Sequence, residues 1–331
     1  MDRLTLPRLE ELLVKAREIR VLVVGDIMLD VYLRGSASRI SPEAPVPVVR
    51  VDDQDLALGG AANVATNVVA LGASCTVVGC VGDDEAGRDL IAELSASGID
   101  AGGVQTFAAR PTTVKTRIMV RHQQVARYDR EAEHEMTEAE IALLVEAIRR
   151  HVAEVDAVVL EDYNKGVLSP ALIRATVKAA REAGKTVVVD PKFRHFFDYK
   201  GATVFKPNLL ELKAAMLGTA KPTDKSWMER TRGELGCENL LVTLGEDGMA
   251  LLTANDEFVH VPTVARSVYD VSGAGDTVTA VIAVALAAGA DMVEAAVLAN
   301  HAAGIEVGKA GVATVSADEL IAYMGERAWQ N

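Results

Sequence analysis

Ala157-Val158-Val159-Leu160-Glu161-Asp162, the helical pattern of Pro170 to Ala183, and Thr186-Val187-Val188-Val189-Asp190-Pro191 follow one another in the chain and decide the fold. Neither apolar run alternates with polar residues, which is what strands covered on both faces require and is the usual situation in a parallel sheet. With a helix between them they read as one β-α-β unit. Outward from it, Val21-Leu22-Val23-Val24 and Leu240-Leu241-Val242-Thr243 repeat the run, and Leu209 to Leu217 repeats the helical pattern. The expectation is an α/β protein, a three-layer α/β/α sandwich. Its strands end in Gly25-Asp26, Glu161-Asp162, Asp190-Pro191 and Leu244-Gly245, and open α/β sheets bind ligands beyond such C-terminal ends.

A length of 331 residues suits one large domain or two ordinary ones; no linker, repeat or low-complexity tract divides it, so one domain over 1–331 is expected. Half the chain is hydrophobic but only 4% is aromatic, so the core must come from Ala, Val, Leu and Ile. A net charge of −13 repels polyphosphate strands and anionic bilayers, and neither nucleic acid nor a membrane is an expected partner. Cys75, Cys80 and Cys237 form no Cys-x-x-Cys pair and have no nearby His, which argues against a disulfide framework or a zinc site. The N-terminal stretch is charged throughout and reads as an amphipathic helix after Thr5 and Pro7 rather than an export signal. Thr277 to Ala290 is uncharged but falls short of the ~18–20 apolar residues that cross a bilayer. The expected location is the cytoplasm.

Two stretches break the β-α-β rhythm, Val31 to Ala57 and Thr112 to Arg130, and both show strand-like alternation without a helix. They read as a small antiparallel sheet projecting from the main body. The second is locally basic, with Lys115, Arg117, Arg121, Arg127 and Arg130 against Asp129 alone. An anionic ligand fits it, and so does an ordinary solvated hairpin face.

Asp270-Val271-Ser272-Gly273-Ala274-Gly275-Asp276-Thr277 leads into an Ala/Val-rich helix. Small residues let backbone N–H groups converge at a helix N-terminus, where the dipole favours a phosphate or a developing anion. Asp276 stands at the lip, where it can take a proton from an attacking hydroxyl. Alone, the motif reads equally as an N-cap. Leu58-Gly59-Gly60-Ala61-Ala62-Asn63 opens a second helix with residues small enough for a ligand to touch the backbone, or for close helix–sheet packing. No GxxxxGK[ST] is present, and no GxGxxG follows the first strand, so P-loop and dinucleotide-binding readings are poor.

Taken together, GGAANVATN (Gly59 to Asn67), LGA and VGDDEAG after it, Pro207-Asn208-Leu209-Leu210-Glu211, VTLGEDG (Val242 to Gly248) and DVSGAGDT resemble the ribokinase or PfkB carbohydrate kinases, in the family's order from about Val21 to Ser316. The resemblance implies a ribokinase-like sandwich with a β-sheet lid, about 31–57 and 112–130, that covers the sugar and often pairs two subunits; a homodimer through the lid is expected. Within the family, Ser38 to Val48, Tyr163-Asn164-Lys165-Gly166 and Asp190-Pro191-Lys192 look like the branch that phosphorylates D-glycero-β-D-manno-heptose 7-phosphate. His301-Ala302-Ala303-Gly304 lacks the second His of the HxGH motif carried by the adenylyltransferase partner of that branch, so a stand-alone kinase is expected.

By position, the resemblance makes Asp276 the catalytic base and Gly273, Ala274 and Gly275 the anion hole. ATP and Mg2+ are the implied cofactors: Asn208 and Glu211 would help place magnesium, commonly through water, although Asn followed by Glu three residues on is also a helix capping box. Thr243, Gly245, Asn300 and Gly304 match nucleotide positions, and Asp270 matches a monovalent-cation position, K+ in some relatives. Asp30, Gly59, Gly60 and Asn63 match sugar contacts. Lys165, Lys192 and the lid residues Arg117, Arg121 and Gln124 are expected at the substrate, one of the two lysines holding the sugar phosphate and the other the transferring group, in an order the sequence leaves open. A phosphofructokinase-like sugar-phosphate kinase is the near alternative; a non-catalytic ligand sensor on the same fold is the distant one, against which an intact Asp276 argues.

Overall fold

The computed structural model describes residues 4–328 except 122, 133, 217, 219, 266, 267 and 310. The first strand, β1 (Arg20–Gly25), is followed by β2 (Ile27–Ile40), β3 (Pro47–Gly60), β4 (Ser74–Gly82), β5 (Asp100–Phe107), β6 (Val114–Val120) and β7 (Gln123–Arg130). The second half contributes β8 (Ala157–Glu161), β9 (Thr186–Asp190), β10 (Val204–Phe205), β11 (Asn239–Thr243), β12 (Met249–Leu252) and β13 (Phe258–Val261). Nine strands form the main sheet, in the order β13-β12-β11-β10-β9-β8-β1-β4-β5.

Two-sided burial explains why the main strands lack alternation. Val21, Val23, Val159 and Val188 enter one core with the helices Ala61–Ala70, Ala274–Ala287 and Met292–Glu306. Their neighbours Leu22, Val24, Val158, Leu160, Val187 and Val189 point the other way, into a core with Glu138–His151 and Pro170–Glu182. Successive strand residues face opposite sides, so both registers must be apolar, each fully buried aliphatic contributing roughly 1.5–3 kcal/mol. The three layers are therefore as expected.

Three expectations need correction. The main sheet is mixed, because β12 pairs antiparallel with β11 and β13 antiparallel with β12. The lid is also mixed rather than antiparallel: in its order β3-β2-β6-β7, β2 runs parallel to β6. A connection through β4 and β5 lies between those two strands in the chain, and such a crossover brings a strand back in the same direction. Finally, the helix expected from Leu209 to Leu217 ends at Ala215; residue 217 lies outside the described residues.

The lid is continuous with the sheet. β2 starts two residues after β1, and β3 ends at Gly60, where the helix Ala61–Ala70 begins. Ile27 pairs with Gly60 and Asp30 with Ala57, so the root of the lid stands at the strand ends.

Candidate active site

The floor of the site is the start of the helix Ala274–Ala287. Gly273 precedes it at φ 97°, and a Cβ there would stand 3.2 Å from Glu306 Oε1 and 3.3 Å from Asn63 Nδ2, so glycine is required. No side chain caps this end, which leaves its amides aimed outward for an anion. The ordinary N-cap reading of the motif thus fails here.

Asp276 is buried in the first turn. Its Oδ2 accepts a 2.7 Å hydrogen bond from Asn63 Nδ2, and its Oδ1 accepts one of 2.8 Å from the Tyr163 hydroxyl. Burial pushes its pKa up to about 6, working against those two donors. One oxygen each of Glu161, Asp190 and Asp276 lie within 4.8 Å of one another. Burial, then the charges of Asp190 and Asp276, push the Glu161 carboxyl well above the usual range, and its Oε2 has no hydrogen-bond partner among the described residues. Lys206 compensates the cluster: its Nζ sits 2.8 Å from Asp190 Oδ2 with only 2% of the side chain exposed. Burial lowers the affinity of that amine for its proton, but Asp190 and Glu161 outweigh it and raise the pKa. A Cβ on Gly275 would lie 3.7 Å from Lys206 Nζ, so this ammonium borders the helix start expected to form the anion hole.

On the sugar side, Asp30 is buried and receives Arg117 Nη1 at 2.5 Å. A Cβ on Gly59 would fall 2.5 Å from Asp30 Oδ2, and Gly60 adopts φ 59° against the Asp26 carbonyl. Asp26 itself accepts the amides of Tyr163, Lys165 and Val167 at 2.8, 3.0 and 3.1 Å, which pins the Tyr163 to Val167 turn to the end of β1. Burial, then Asp162, raises its pKa to about 6. The Tyr163 ring is flanked by Lys115 Nζ at 5.1 Å and Lys192 Nζ at 5.2 Å. Arg121 and Gln124 are not brought to this place within one chain. They lie at the β6–β7 turn and beyond it, several residues past the Asp30–Lys115 pairing, and strands advance about 3.3 Å per residue.

The nucleotide side is partly structural. The capping box at Asn208 and Glu211 is present in both directions, at 2.8 and 2.9 Å, and Glu211 Oε1 also pairs with Lys192. Thr243 bridges to Asn208, and Gly245 turns the chain at φ 65°. Asn300, expected at the nucleotide, is buried and donates its amide to Pro262 O at 2.8 Å, which ties the helix Met292–Glu306 to the 262–265 loop. Gly304 packs beneath that loop, where a Cβ would stand 3.0 Å from Val264 Cγ2.

Asp270 is held below the ordinary carboxylate range: burial alone would raise it, but hydrogen bonds from Ser272 and the Gly311 amide prevail. Nearby Glu306 is fully buried; among the described residues its carboxylate oxygens have no well-formed hydrogen-bond partner, the Ala313 amide only favouring the charged form, and burial, then Asp270 and Asp276, raises its pKa to about 8. An orphaned buried carboxylate beside Asp270 fits a cation at this place. The orphaned Glu161 Oε2 among Asp190 and Asp276 is a hard-oxygen set that fits magnesium in the same sense. A larger cavity of about 550 Å³ between Arg174 and Lys200 adjoins the end of the helix Pro170–Glu182, on the side where the strands begin, and meets none of these groups.

Sequence reasoning missed Glu161, Asp190 and Lys206 as site residues. The first two were visible as strand ends; Lys206 follows a two-residue strand too short to read as a run.

These features define a phosphoryl-transfer site on a ribokinase-like fold. Residues 18–319 match the pfkB family carbohydrate kinases, and the chain belongs to that family of ATP-dependent sugar kinases. It is similar to the bifunctional protein HldE of Geotalea uraniireducens (strain Rf4), at 44% identity over 96% of this chain, and to that of Caulobacter sp. (strain K31), at 47% over 91%. It spans 65% and 62% of their respective lengths. Among solved structures, Arabidopsis thaliana ribokinase complexed with ribose and ATP superposes with a TM-score of 0.71 at 22% identity, covering 92% of this chain and 98% of that one. Escherichia coli phosphofructokinase-2 in complex with potassium gives 0.75 at 20%, covering 93% and 99%. No helix among the described residues is long and apolar enough to cross a membrane.

Proposed function

We propose that this kinase transfers the γ-phosphoryl group of ATP to the anomeric hydroxyl of D-glycero-β-D-manno-heptose 7-phosphate, giving the 1,7-bisphosphate and ADP, a step toward ADP-heptose and the lipopolysaccharide core. One observation carries the choice of sugar: of the three segments that resemble the heptose branch, two converge on Asp276, through Tyr163 on its Oδ1, Asp190 beside it and Lys192 over the Tyr163 ring. Ser38 to Val48, the third, lies on the exposed lid.

The chemistry follows from the chain's own groups. Asp276, with a pKa of about 6, is ionised at neutral pH and is a stronger base than an ordinary carboxylate. Asn63 and Tyr163 orient it, and Tyr163 remains a donor because burial, then Asp276, raise its own pKa. Asp30, Gly59, Gly60 and Asn63 hold the sugar hydroxyls. As the hydroxyl oxygen attacks the γ-phosphorus in line, its proton passes to Asp276 and the bond to the β-phosphate oxygen breaks. The amides at Gly273 to Gly275 receive the developing charge, with Lys206 and Lys192 alongside. Magnesium would supply charge neutralisation on the phosphates and would be held by Glu161 and Asp190, and through water by Asn208 and Glu211; K+ would sit by Asp270 and Glu306. Closure of the lid would exclude water, the competing acceptor. Exposed Ile40, Val46, Val51, Val125 and Tyr128 on the lid support a homodimer through it.

ATP consumption across a panel of sugar phosphates tests the assignment, with the product phosphate located by ³¹P NMR. Heptose 7-phosphate is expected to give the highest kcat/KM and a C1 phosphate. A higher value for fructose 6-phosphate would replace this reading with the phosphofructokinase-like one, and no turnover of any sugar would favour a sensor.

A further inference from the structure

We propose that Asp26 is a positioning residue for the phosphoryl transfer, holding both hydrogen-bond donors of Asp276 in place: Tyr163 through its side chain and Asn63 through its main chain. The inference rests on the reading of Asp276 as the base and is independent of which sugar phosphate is the acceptor. Asp26 is the single residue between β1 and β2 and is only 1% exposed.

Its side chain shapes the turn that carries Tyr163. Oδ2 accepts the amides of Tyr163 and Lys165, and Oδ1 accepts that of Val167. Local preference does not favour this turn: Asn164 is left-handed at φ 56°, which residues other than glycine rarely adopt, and Gly166 lies at φ 96°. Support therefore has to come from outside the segment. Asp162 takes the Asn164 amide at 2.7 Å and is itself fixed by the Tyr199 hydroxyl at 2.8 Å, but the other three amides depend on Asp26. With a pKa of about 6, raised by burial and then by Asp162, Asp26 is ionised at neutral pH, and a carboxylate has acceptor sites for all three. The turn in turn delivers the Tyr163 hydroxyl to Asp276 Oδ1 at 2.8 Å.

The main chain of Asp26 serves the second donor. Its carbonyl accepts the Ala61 amide at 3.0 Å, where the helix Ala61–Ala70 begins, and Asn63, the third residue of that helix, donates to Asp276 Oδ2 at 2.7 Å. Gly60 permits this approach, since a Cβ there would stand 2.4 Å from Asp26 O and 3.5 Å from Tyr163 Cδ2. The Asp26 amide donates to Glu161 O at 3.2 Å, which fixes the whole junction to the end of β8. Two donors that are 100 positions apart in the chain are thus placed relative to one another by one residue, and a misplacement of about 1 Å at a reacting group can cost ~10²-fold in rate.

The test is a double-mutant cycle on kcat, Asp26→Asn with Tyr163→Phe, run with whichever sugar phosphate gives the highest kcat/KM. Asparagine keeps the size of the side chain but turns an NH2 group toward amides that need an acceptor. Asp26→Asn should lower kcat by about tenfold to a hundredfold with KM for ATP unchanged, and Tyr163→Phe alone by about tenfold. Adding Tyr163→Phe to Asp26→Asn should change kcat little further, because the hydroxyl has already left Asp276. Losses that multiply overturn the assignment. Asp162→Asn removes a carboxylate from the same buried pair without touching the three amides, and kcat should stay near that of wild type; a loss equal to that of Asp26→Asn would make the charge of the pair responsible and sink the assignment too. Should Asp26→Asn not fold, Asp26→Ser, small enough to admit water beside the amides, takes its place in the cycle. Failure of both to fold would make Asp26 a framework residue and overturn the proposal. The reading of Asp276 as the base fails separately, through near-normal turnover in Asp276→Asn.

Discussion

The main sheet and the lid are both rich in β-branched residues, yet their charges live in different media. Every residue of β8 is buried and every residue of β7 is exposed. At the strand ends, Glu161 and Asp276 have raised pKa values because burial removes water from them, and Lys206 keeps its proton only because Asp190 and Glu161 surround it. On the lid, Arg34 pairs with Asp55 and Arg127 with Asp129 in solvent, where such pairs contribute ~0–1 kcal/mol. Low dielectric raises the energetic stakes of the charges at the strand ends; high dielectric leaves those of the lid nearly neutral to stability. Arg117 and Lys115 stand at the border, half-buried at the lid root where it meets Asp30 and Tyr163.

The largest expected effect tests the floor. Asp276→Asn should lower kcat by ~10²–10⁴ while nucleotide binding persists. In wild type, kcat/KM should fall as pH drops through about 6, where Asp276 takes up its proton; a midpoint near 4 would mean that burial does not tune it. The stability sign is opposite to the catalytic one. The folded pKa of Asp276 is raised, so its proton-linked stability is complete below ~3.9, the unfolded value, and is lost as pH rises through about 6. Asp276→Asn should therefore melt no lower than wild type at pH 7, and a marked drop would place the residue in the framework instead.

Lys206→Met comes next. Removing one member of a buried ion pair costs about 3–5 kcal/mol, and the midpoint of urea unfolding should show it. Adding Asp190→Asn should recover part of the loss, because the stranded carboxylate is gone. A loss below ~1 kcal/mol in the single variant would show that water reaches this floor and erase the contrast with the lid.

Glu211→Gln is smaller and divides two roles. The capping box alone gives a stability loss on the order of 1 kcal/mol with magnesium dependence unchanged; a role at the metal shifts the magnesium titration as well. The smallest effect belongs to the lid. Tyr128→Ser should alter stability by no more than ~0.5 kcal/mol, the usual range for an exposed position, as read by denaturant melts at low concentration. A concentration-dependent drop in apparent mass by sedimentation would instead place Tyr128 in a subunit contact.

Much of this was legible beforehand for a physical reason. Two-sided burial imposes uninterrupted apolar runs, so Val21 to Val24, Ala157 to Leu160 and Thr186 to Val189 announced a covered sheet. The glycines at 273 and 275 and Asp276 announced a helix start whose amides no side chain caps, because backbone amides converge only where side chains are small. The short strand β10 and the antiparallel edge of β12 and β13 were not legible, since two to four residues carry too little periodicity to separate strand from turn.

Local sequence determined the layers, the helix N-terminus at Gly273 and the acids at the strand ends, all of which follow from neighbouring residues and the backbone's own rules. Tertiary structure alone decided which of those groups meet. Tyr163 and Asn63 reach Asp276 across 113 and 213 positions, Arg117 reaches Asp30 across 87, and Asn300 reaches the Pro262 carbonyl across 38. Burial is likewise a property of the packed molecule: the same aspartate is an ordinary acid in the chain and a base near 6 once water has been excluded around it.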